Sequence, residues 1–339
     1  MSFFESVRLA LSRHPVGVHA LASPATAAEL ATLEQRVSGL PSSDYREFLA
    51  TWNGGTMFHE SLLLLSTEQV CLAAGDRLLI GECSDGLLWL ARQGQVLVVD
   101  DEEPDPLIAG SDFATWLDVA MSREALLVDR DGEFRDVFDE EDGVLRIEIR
   151  RKRAQLGRKR DHGASLYPME LAELALEEGS DEQAHKLLIE ATSRDPQAGP
   201  AWELLAALYR QAGESELAHD AYLRAASSTA SAMLQAMRLL EAAQLSPIHA
   251  SALVEAATSA DPDLSSRLLE QVRERLAAHE TDEAKQLQAK LRLLAFHNRL
   301  PSTISTEIER IERDLRSRDA LRVRAARISH QTANKRQMA

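Results

Sequence analysis

The chain has 339 residues, of which 45% are hydrophobic and 27% are charged, and its formal net charge is −16. This length and apolar content predict two or more globular domains with buried cores and exclude a disordered chain. No apolar run approaches the roughly 18 residues that span a bilayer, and the opening residues lack the pattern of a secretory signal. We therefore expect a cytoplasmic protein that does not associate with membranes.

The charge is distributed unevenly along the chain. Residues 1–150 carry 11 Lys and Arg against 27 Asp and Glu, and the remaining residues carry 27 of each. A domain this acidic repels nucleic acid and attracts cationic partners, although solubility alone would also explain the charge. Of the two cysteines, Cys71 lies in a predicted helix and Cys83 beside a predicted turn, so they indicate neither a disulfide framework nor a zinc site.

Three helices are predicted in the first 55 residues. The first has Phe3, Phe4, Val7 and Leu11 on one face and is predicted to end at His14 and Pro15, and the second follows Thr26, which has Glu29 at the spacing of a capping box. The third lies within LPSSDYREFLATWNGG, residues 40–55, and ends at a double glycine. Four large apolar side chains lie on one face of this third helix, those of Tyr45, Phe48, Leu49 and Trp52.

Short apolar runs bounded by Gly, Asp and Ser follow the helices and predict buried strands. They occupy residues 62–65, 78–80, 87–91 and 95–99, and a helix with an apolar face, from Phe113 to Met121, comes next. This order of helices and strands predicts an α+β domain with a mixed sheet. Alternating patterns over residues 125–149, with a turn at Asp131 and Gly132, predict further strands.

The motifs of this region resemble the SUKH superfamily, a group of bacterial toxin-immunity proteins and yeast cell-wall regulators. The resemblance covers residues 25–121 and is carried by residues 40–55, by LLIGECSDGLLWLARQGQVLVVDDEEPDP and by SDFATWLDVAM. The positions that match the family pattern are Gly81, Gly94, Asp100 to Glu103, Phe113 and Leu117. The resemblance implies an α+β partner-binding domain and, at its acidic turn, a contact with a toxin.

From residue 164 the chain becomes rich in Ala and Leu, with a repeat of 34 residues. Ala172, Gly179, Ala184, Leu188 and Ala191 recur 34 positions later as Ala206, Gly213, Ala218, Tyr222 and Ala225. Residues 201–225 resemble a tetratricopeptide repeat, in which paired helices stack into a rod. The sequence therefore predicts a SUKH-like domain over residues 1–149, a basic linker over 150–163, a helical repeat domain over 164–315 and a basic tail over 316–339.

No pattern of residues indicates a catalytic, metal or cofactor site. Asp129, Asp131 and Gly132 lack the later ligands of a calcium loop, and His185 and His219 occupy equivalent exposed repeat positions. We therefore expect a protein that is not an enzyme and that needs no cofactor or metal.

Two surfaces are predicted to bind a partner. One is the acidic loop after the fourth predicted strand, formed by Asp100, Asp101, Glu102, Glu103 and Asp105, which would match a basic groove in its partner. The other is the inner face of the repeats, where the helical pattern places Met169, Glu173, Glu203, Ala207 and Arg210.

These surfaces leave two functions open. The first is an immunity protein that neutralises a cationic, nuclease-type toxin by occluding it, which is the role that the SUKH resemblance implies. The second is an intracellular adaptor that binds peptides in the groove of the repeats. In both cases the expected partner is a protein and not a nucleic acid, and the oligomeric state stays open.

Overall fold

The computed structural model describes residues 3–73, 76–100, 105–139, 143–278, 280–297, 300, 304, 306–311 and 313. The contacts within the chain define two compact units. The first is Met1–Ala212 with Ser227–Thr229, and the second is Gly213–Ala226 with Ala230–Ala339. The first unit therefore holds the acidic region together with the first helices of the repeat region.

The three predicted N-terminal helices are confirmed as α1 (Phe3–Leu11), α2 (Ala27–Arg36) and α3 (Ser43–Thr51). The predicted capping box opens α2, because the backbone N–H of Glu29 donates to Thr26 Oγ1 and the N–H of Thr26 donates to the Glu29 carboxylate. Ser42 Oγ accepts from the N–H of Tyr45 and caps α3 in the same way.

The aromatic face of α3 lies at the centre of the core of the first unit. Tyr45, Phe48 and Leu49 are fully buried. The ring of Phe113 lies 5.0 Å from that of Tyr45 and 5.5 Å from that of Phe48, measured between centroids. Such tilted ring pairs add specific contacts to the burial of apolar area, so this face fixes α3 against the rest of the domain.

A sheet of eight strands forms the body of the acidic region, and all of its described strand pairs are antiparallel, so the prediction of a mixed sheet is wrong. The strands are β1 (Ala20–Leu21), β2 (Gly55–Met57), β3 (Leu62–Leu64), β4 (Cys71–Ala73), β5 (Arg77–Cys83), β6 (Gly86–Leu90), β7 (Val96–Val99) and β8 (Leu107–Gly110). Seven strands lie side by side in the order β1-β2-β3-β5-β6-β7-β8. The remaining strand, β4, pairs with β5 and is not part of this order. The four predicted strands are confirmed as β3, β5, β6 and β7. The prediction that Cys71 lies in a helix is wrong.

The predicted helix after the sheet is α4 (Phe113–Glu124). The next segment forms only isolated bridges, between Val128 and Phe134 and between Phe138 and Leu145, where sequence predicted a hairpin and a further strand. The chain then enters α5 (Ile147–Arg160). The strand that the alternating pattern of residues 144–149 predicted is therefore wrong, because residues 144–146 form only an isolated bridge at Leu145 and residues 147–149 are helical.

The basic segment expected to be a linker forms most of α5 instead. Arg153 is buried, and its Nη2 donates to Glu124 Oε1 at 2.5 Å. On the surface Arg158 pairs with Glu190 and Arg160 with Asp118. The arginines contact carboxylates on both sides of the helix, and these contacts hold the segment in a packed helix where a solvated linker was expected.

The first unit continues with the helices α6 (Leu166–Glu177), α7 (Asp181–Arg194) and α8 (Gly199–Gln211). The 34-residue period has a structural basis here. Ala172, Ala184, Leu188 and Ala191 are completely buried, as expected of small residues that allow close helix packing. Gly179 follows α6 with a φ of +71°, a conformation that Gly adopts readily at helix ends.

All regular secondary structure in the described residues of the second unit is helical. Its helices are α9 (Ser215–Ser228), α10 (Ala232–Leu245), α11 (Ala250–Ala260), α12 (Leu264–Ala277) and α13 (Thr281–Phe296), and residues 306–311 are also helical. Side chains of α10, α11, α12 and α13 form a separate hydrophobic core, and Ile304, Ile308 and Ile311 also belong to it. The chain thus combines an antiparallel sheet region with an all-helical, repeat-like region.

Candidate partner-binding surfaces

The predicted acidic loop lies between β7 and β8, and the structure describes two of its five acidic residues. Asp100 is exposed directly after β7. Asp105 is only 4% exposed, so its assignment to the partner-binding surface is wrong. The reason is that Asp105 lies two residues before β8, a strand whose four residues are all buried. Asp101, Glu102 and Glu103 lie outside the described residues.

The residues predicted to line the repeat groove have different environments. Met169 on α6 is 3% exposed, so it is a core residue and the prediction that it lines an open groove is wrong. Glu173, one turn later, is half-buried and faces a cavity beside the sheet. On α8, Glu203 is half-buried and Arg210 is exposed, which is compatible with the predicted surface.

Met169 is buried because the start of α6 docks against strand β8. Ile108 exchanges two hydrogen bonds with Ser165: its N–H donates to Ser165 Oγ at 3.1 Å, and its carbonyl accepts from the Ser165 N–H at 2.9 Å. The hydroxyl of Tyr167 donates to the carbonyl of Ala109 at 2.7 Å. These bonds satisfy the backbone at the edge of the sheet, which would otherwise be open to pairing with another strand.

A group of buried and half-buried charged side chains connects the sheet to the helices. This charge cluster consists of Asp85, Arg123, Glu124, Arg153 and Glu170, which come from the β5–β6 turn, α4, α5 and α6. Arg123 Nη2 lies 2.7 Å from Glu170 Oε1 and 3.3 Å from Asp85 Oδ2. Arg153 Nη2 binds Glu124 and also donates to Ser84 Oγ at 3.0 Å.

Burial and charge act in opposite directions on the carboxylates of this cluster. Burial favours the neutral form of Asp85, but the guanidinium groups of Arg123 and Arg153 outweigh it and hold the pKa of Asp85 below its ordinary value. Burial raises the pKa of Glu124 and of Glu170, because their arginine partners offset only part of the desolvation. As the pH falls, Glu124 and Glu170 therefore take up protons before Asp85 does.

The charge cluster borders a cavity of about 270 Å³. Val144, Leu145 and Leu174 form an aliphatic wall, and Arg123, Arg153 and Glu170 are among the polar residues that line it. Within the described part of the chain, three buried atoms of these polar residues have no hydrogen-bond partner: Arg123 Nε, Arg153 Nε and Glu170 Oε2. A buried polar atom without a partner is costly, so this cavity is a candidate binding site.

An exposed aromatic patch lies elsewhere on the first unit, formed by His59, Phe134 and Phe138. Phe134 is 48% exposed and Phe138 is 36% exposed. The ring centroid of Phe134 lies 6.2 Å from that of Phe138 and 5.3 Å from that of His59. His59 Nε2 contacts the carbonyl of Gly132, where the carbonyl accepts the hydrogen bond.

The backbone that carries His59 is strained. Phe58, His59 and Glu60 have φ values of +52°, +54° and +72°, in the left-handed region that non-glycine residues rarely adopt. Each such residue costs of the order of 1 kcal/mol or more, and strain of this kind is concentrated at functional sites. The turn between β2 and β3 thus places His59 against Phe134 at the expense of local stability.

Acidic residues lie close in sequence to the residues of the aromatic patch. Five exposed carboxylate residues lie on the same two segments: Glu60, Asp131, Glu133, Asp136 and Asp139. The sequence carries one signal for the patch, since Phe134 and Phe138 are spaced four apart in an acidic segment, but the patch was not among the predicted surfaces. The charge cluster leaves no pattern in the sequence, since up to 85 positions separate its members.

The described residues contain no group of three or more His, Cys, Asp or Glu that could hold a metal ion. None of the helices among them is both long and apolar enough to cross a bilayer.

Comparison with known proteins gives little guidance. No protein-family model and no curated protein matches the chain. Among solved structures, the chain is similar to one titled "Functional Characterization of Pseudomonas Aeruginosa pilF", at 14% identity and a TM-score of 0.34. The match covers 52% of this chain and 82% of that chain. A likeness at this TM-score carries no argument about fold or function.

Proposed function

We propose that this chain is a non-enzymatic protein-binding protein that acts by occupying its partner. The observation that carries the proposal is the exposed aromatic patch of His59, Phe134 and Phe138 within an acidic segment. Aromatic side chains are enriched at the centres of protein interfaces, where a few of them supply most of the binding energy. A strained turn that presents one of them supports the same assignment.

The charge of the region indicates what kind of partner fits. Residues 1–150 have an excess of 16 acidic over basic residues, 27 against 11. An acidic surface around an aromatic centre suits a cationic partner, because opposite charge accelerates association and aromatic rings attract lysine and arginine. The proposed partner is therefore a basic protein.

The finer proposal is that the partner is a basic, nuclease-type toxin and that the chain is its immunity protein. It is supported by the SUKH resemblance over residues 25–121 and by the negative charge of the same region, while no family model adds support. An adaptor role through the repeat groove has less support, because Met169 is buried and α6 docks against β8.

The test is capture of the partner from a lysate of the native cell by three immobilised proteins. They are the wild type, the double variant Phe134→Ala/Phe138→Ala and the control Phe296→Ala, which removes a phenylalanine that is 80% exposed in the second unit. We expect the wild type and the control to retain one stoichiometric basic protein. Retention by the double variant should fall about thirtyfold, as loss of an aromatic anchor predicts.

Two results would contradict the proposal. Equal retention by all three proteins would show that the aromatic patch does not bind the partner. Turnover of a substrate by the purified chain would show that occupation of a partner is not its activity.

A further inference from the structure

The charged residues that line the cavity, taken with their ion-pair partners, have an excess of negative charge. The lining itself holds three carboxylates, those of Asp85, Glu170 and Glu173, and three guanidinium groups, those of Arg123, Arg150 and Arg153. Two further carboxylates pair with these arginines from outside the lining: Glu124 binds Arg153, and Glu177 binds both terminal nitrogens of Arg150 at 3.0 and 3.1 Å. A positively charged group entering the cavity would therefore restore the balance.

Glu170 provides the acceptor for such a group. Its Oε1 accepts from Arg123 at 2.7 Å. Its Oε2 is buried and, among the described residues, has no hydrogen-bond partner. A buried carboxylate oxygen gains more from a charged donor than from a neutral one.

We propose that this cavity binds the ammonium group of a lysine side chain supplied by the protein partner. Glu170 Oε2 accepts from the ammonium group, and the aliphatic wall of Val144, Leu145 and Leu174 packs against its four-carbon stem. The volume of about 270 Å³ equals that of roughly nine liquid waters, which is sufficient for such a side chain. This inference rests on the proposed function, since it takes the ligand from a basic protein.

The geometry favours lysine over the alternatives. One buried acceptor oxygen suits a compact ammonium group, whereas a guanidinium group needs two parallel acceptors. An anionic side chain would gain little from the two arginines, because carboxylates already compensate their charge. Arg123 contacts Asp85 and Glu170, and Arg153 contacts Glu124. The unpartnered Nε atoms of these arginines therefore do not make the cavity an anion site.

Binding of short peptides to the purified full chain tests the inference. The probes are acetyl-Gly-X-Gly-amide peptides in which X is lysine, norleucine, arginine or glutamate, titrated by NMR or calorimetry. The proteins are the wild type, Glu170→Gln and the control Glu178→Gln, which removes an exposed carboxylate of the same helical hairpin that pairs with Arg151. Norleucine keeps the stem without the charge, so this comparison needs no variant and is valid even if Glu170→Gln does not fold.

We expect the wild type and Glu178→Gln to bind the lysine peptide at least about tenfold more tightly than the norleucine peptide, and Glu170→Gln to lose this preference. Equal binding of lysine and norleucine, or tighter binding of arginine or glutamate, would overturn the inference. A preference for lysine that Glu170→Gln retains would overturn it too. These titrations use no natural partner, so their failure leaves the capture result for the aromatic patch unchanged.

Discussion

Two buried tyrosines of the first unit differ in what their hydroxyl groups contact. Tyr167 donates to the carbonyl of Ala109, whereas the hydroxyl of Tyr45 has no hydrogen-bond partner within the described ranges. Burial raises the pKa of both phenols, so both stay neutral. The aromatic ring of Tyr45 contributes to the core, but its hydroxyl group opposes folding because it loses its bonds to water.

Tyr45→Phe is therefore expected to stabilise the protein by about 1 kcal/mol, because it removes a buried hydroxyl that lacks a partner. Tyr167→Phe is the matched control, since it removes the same group from an equally buried ring that does donate a hydrogen bond. It should destabilise by a similar amount. Urea unfolding monitored by circular dichroism measures both changes, and destabilisation by Tyr45→Phe would contradict this account.

His19 makes the first unit sensitive to mild acid. Burial, and after it the nearby His14 and His59, lower the pKa of His19 to about 4. Its Nδ1 accepts from the backbone N–H of Phe58 at 3.2 Å, a bond that requires the unprotonated nitrogen. In the unfolded chain the same group has a pKa of about 6.5, so only the unfolded state takes up a proton between these two values.

The free energy of unfolding should therefore fall as the pH is lowered from about 6.5 to about 4. His19→Asn keeps an acceptor near the Phe58 N–H but does not titrate in this range. The free energy of unfolding of this variant should decrease less than that of the wild type between about pH 6.5 and pH 4. The variant is not expected to be more stable than the wild type at pH 7. Unfolding curves at several pH values give the difference, and parallel pH profiles of the two proteins would exclude His19 as the sensitive group.

At the scale of elements, the sequence predicted four of the eight strands. The strands β1, β2 and β4 were missed because they contain only two or three residues, too few to show a period. Strand β8 (Leu107–Gly110) was missed as well, although it is as long as β7. The basic run in α5 was interpreted as a linker because its charge suggested solvation. Its partners, such as Glu124 for Arg153, are distant in sequence and become visible only in the fold.

Close packing of α5 against α6 depends on the absence of a side chain at Gly157. A Cβ at this position would lie 2.5 to 2.6 Å from ring carbons of Tyr167. Tyr167 has little freedom to move, since it is buried and its hydroxyl binds Ala109. This glycine is therefore required by packing, although glycine is unfavourable within a helix.

Gly157→Ala is expected to destabilise the protein by up to about 2 kcal/mol. Overpacking of a core costs about 1–3 kcal/mol, and the gain in helix propensity offsets about 1 kcal/mol of this cost. Gln155→Ala, at an exposed position of the same helix, is the control and should change the stability little. Thermal unfolding distinguishes the two, and a higher melting temperature for Gly157→Ala would show that Tyr167 can move aside.

At the scale of the whole molecule, the sequence indicated the class of function that is proposed here but not the proposed site. The uneven charge and the repeat period are properties of the chain itself, so both were visible without a structure. The aromatic patch, in contrast, brings His59 beside Phe134 across 75 positions. Only the fold joins these segments, and for that reason the acidic loop was predicted as the binding surface and the patch was not.

The most direct test of the central claim is the affinity of the purified chain for its isolated partner, measured at about 0.05 and 0.5 M salt. Because surface charges are screened at high salt, we expect binding of the wild type and of Phe296→Ala to weaken as salt is added. Phe134→Ala/Phe138→Ala should bind about thirtyfold more weakly at both concentrations. Wild-type affinity in the double variant would contradict the account, as would an affinity that does not respond to salt.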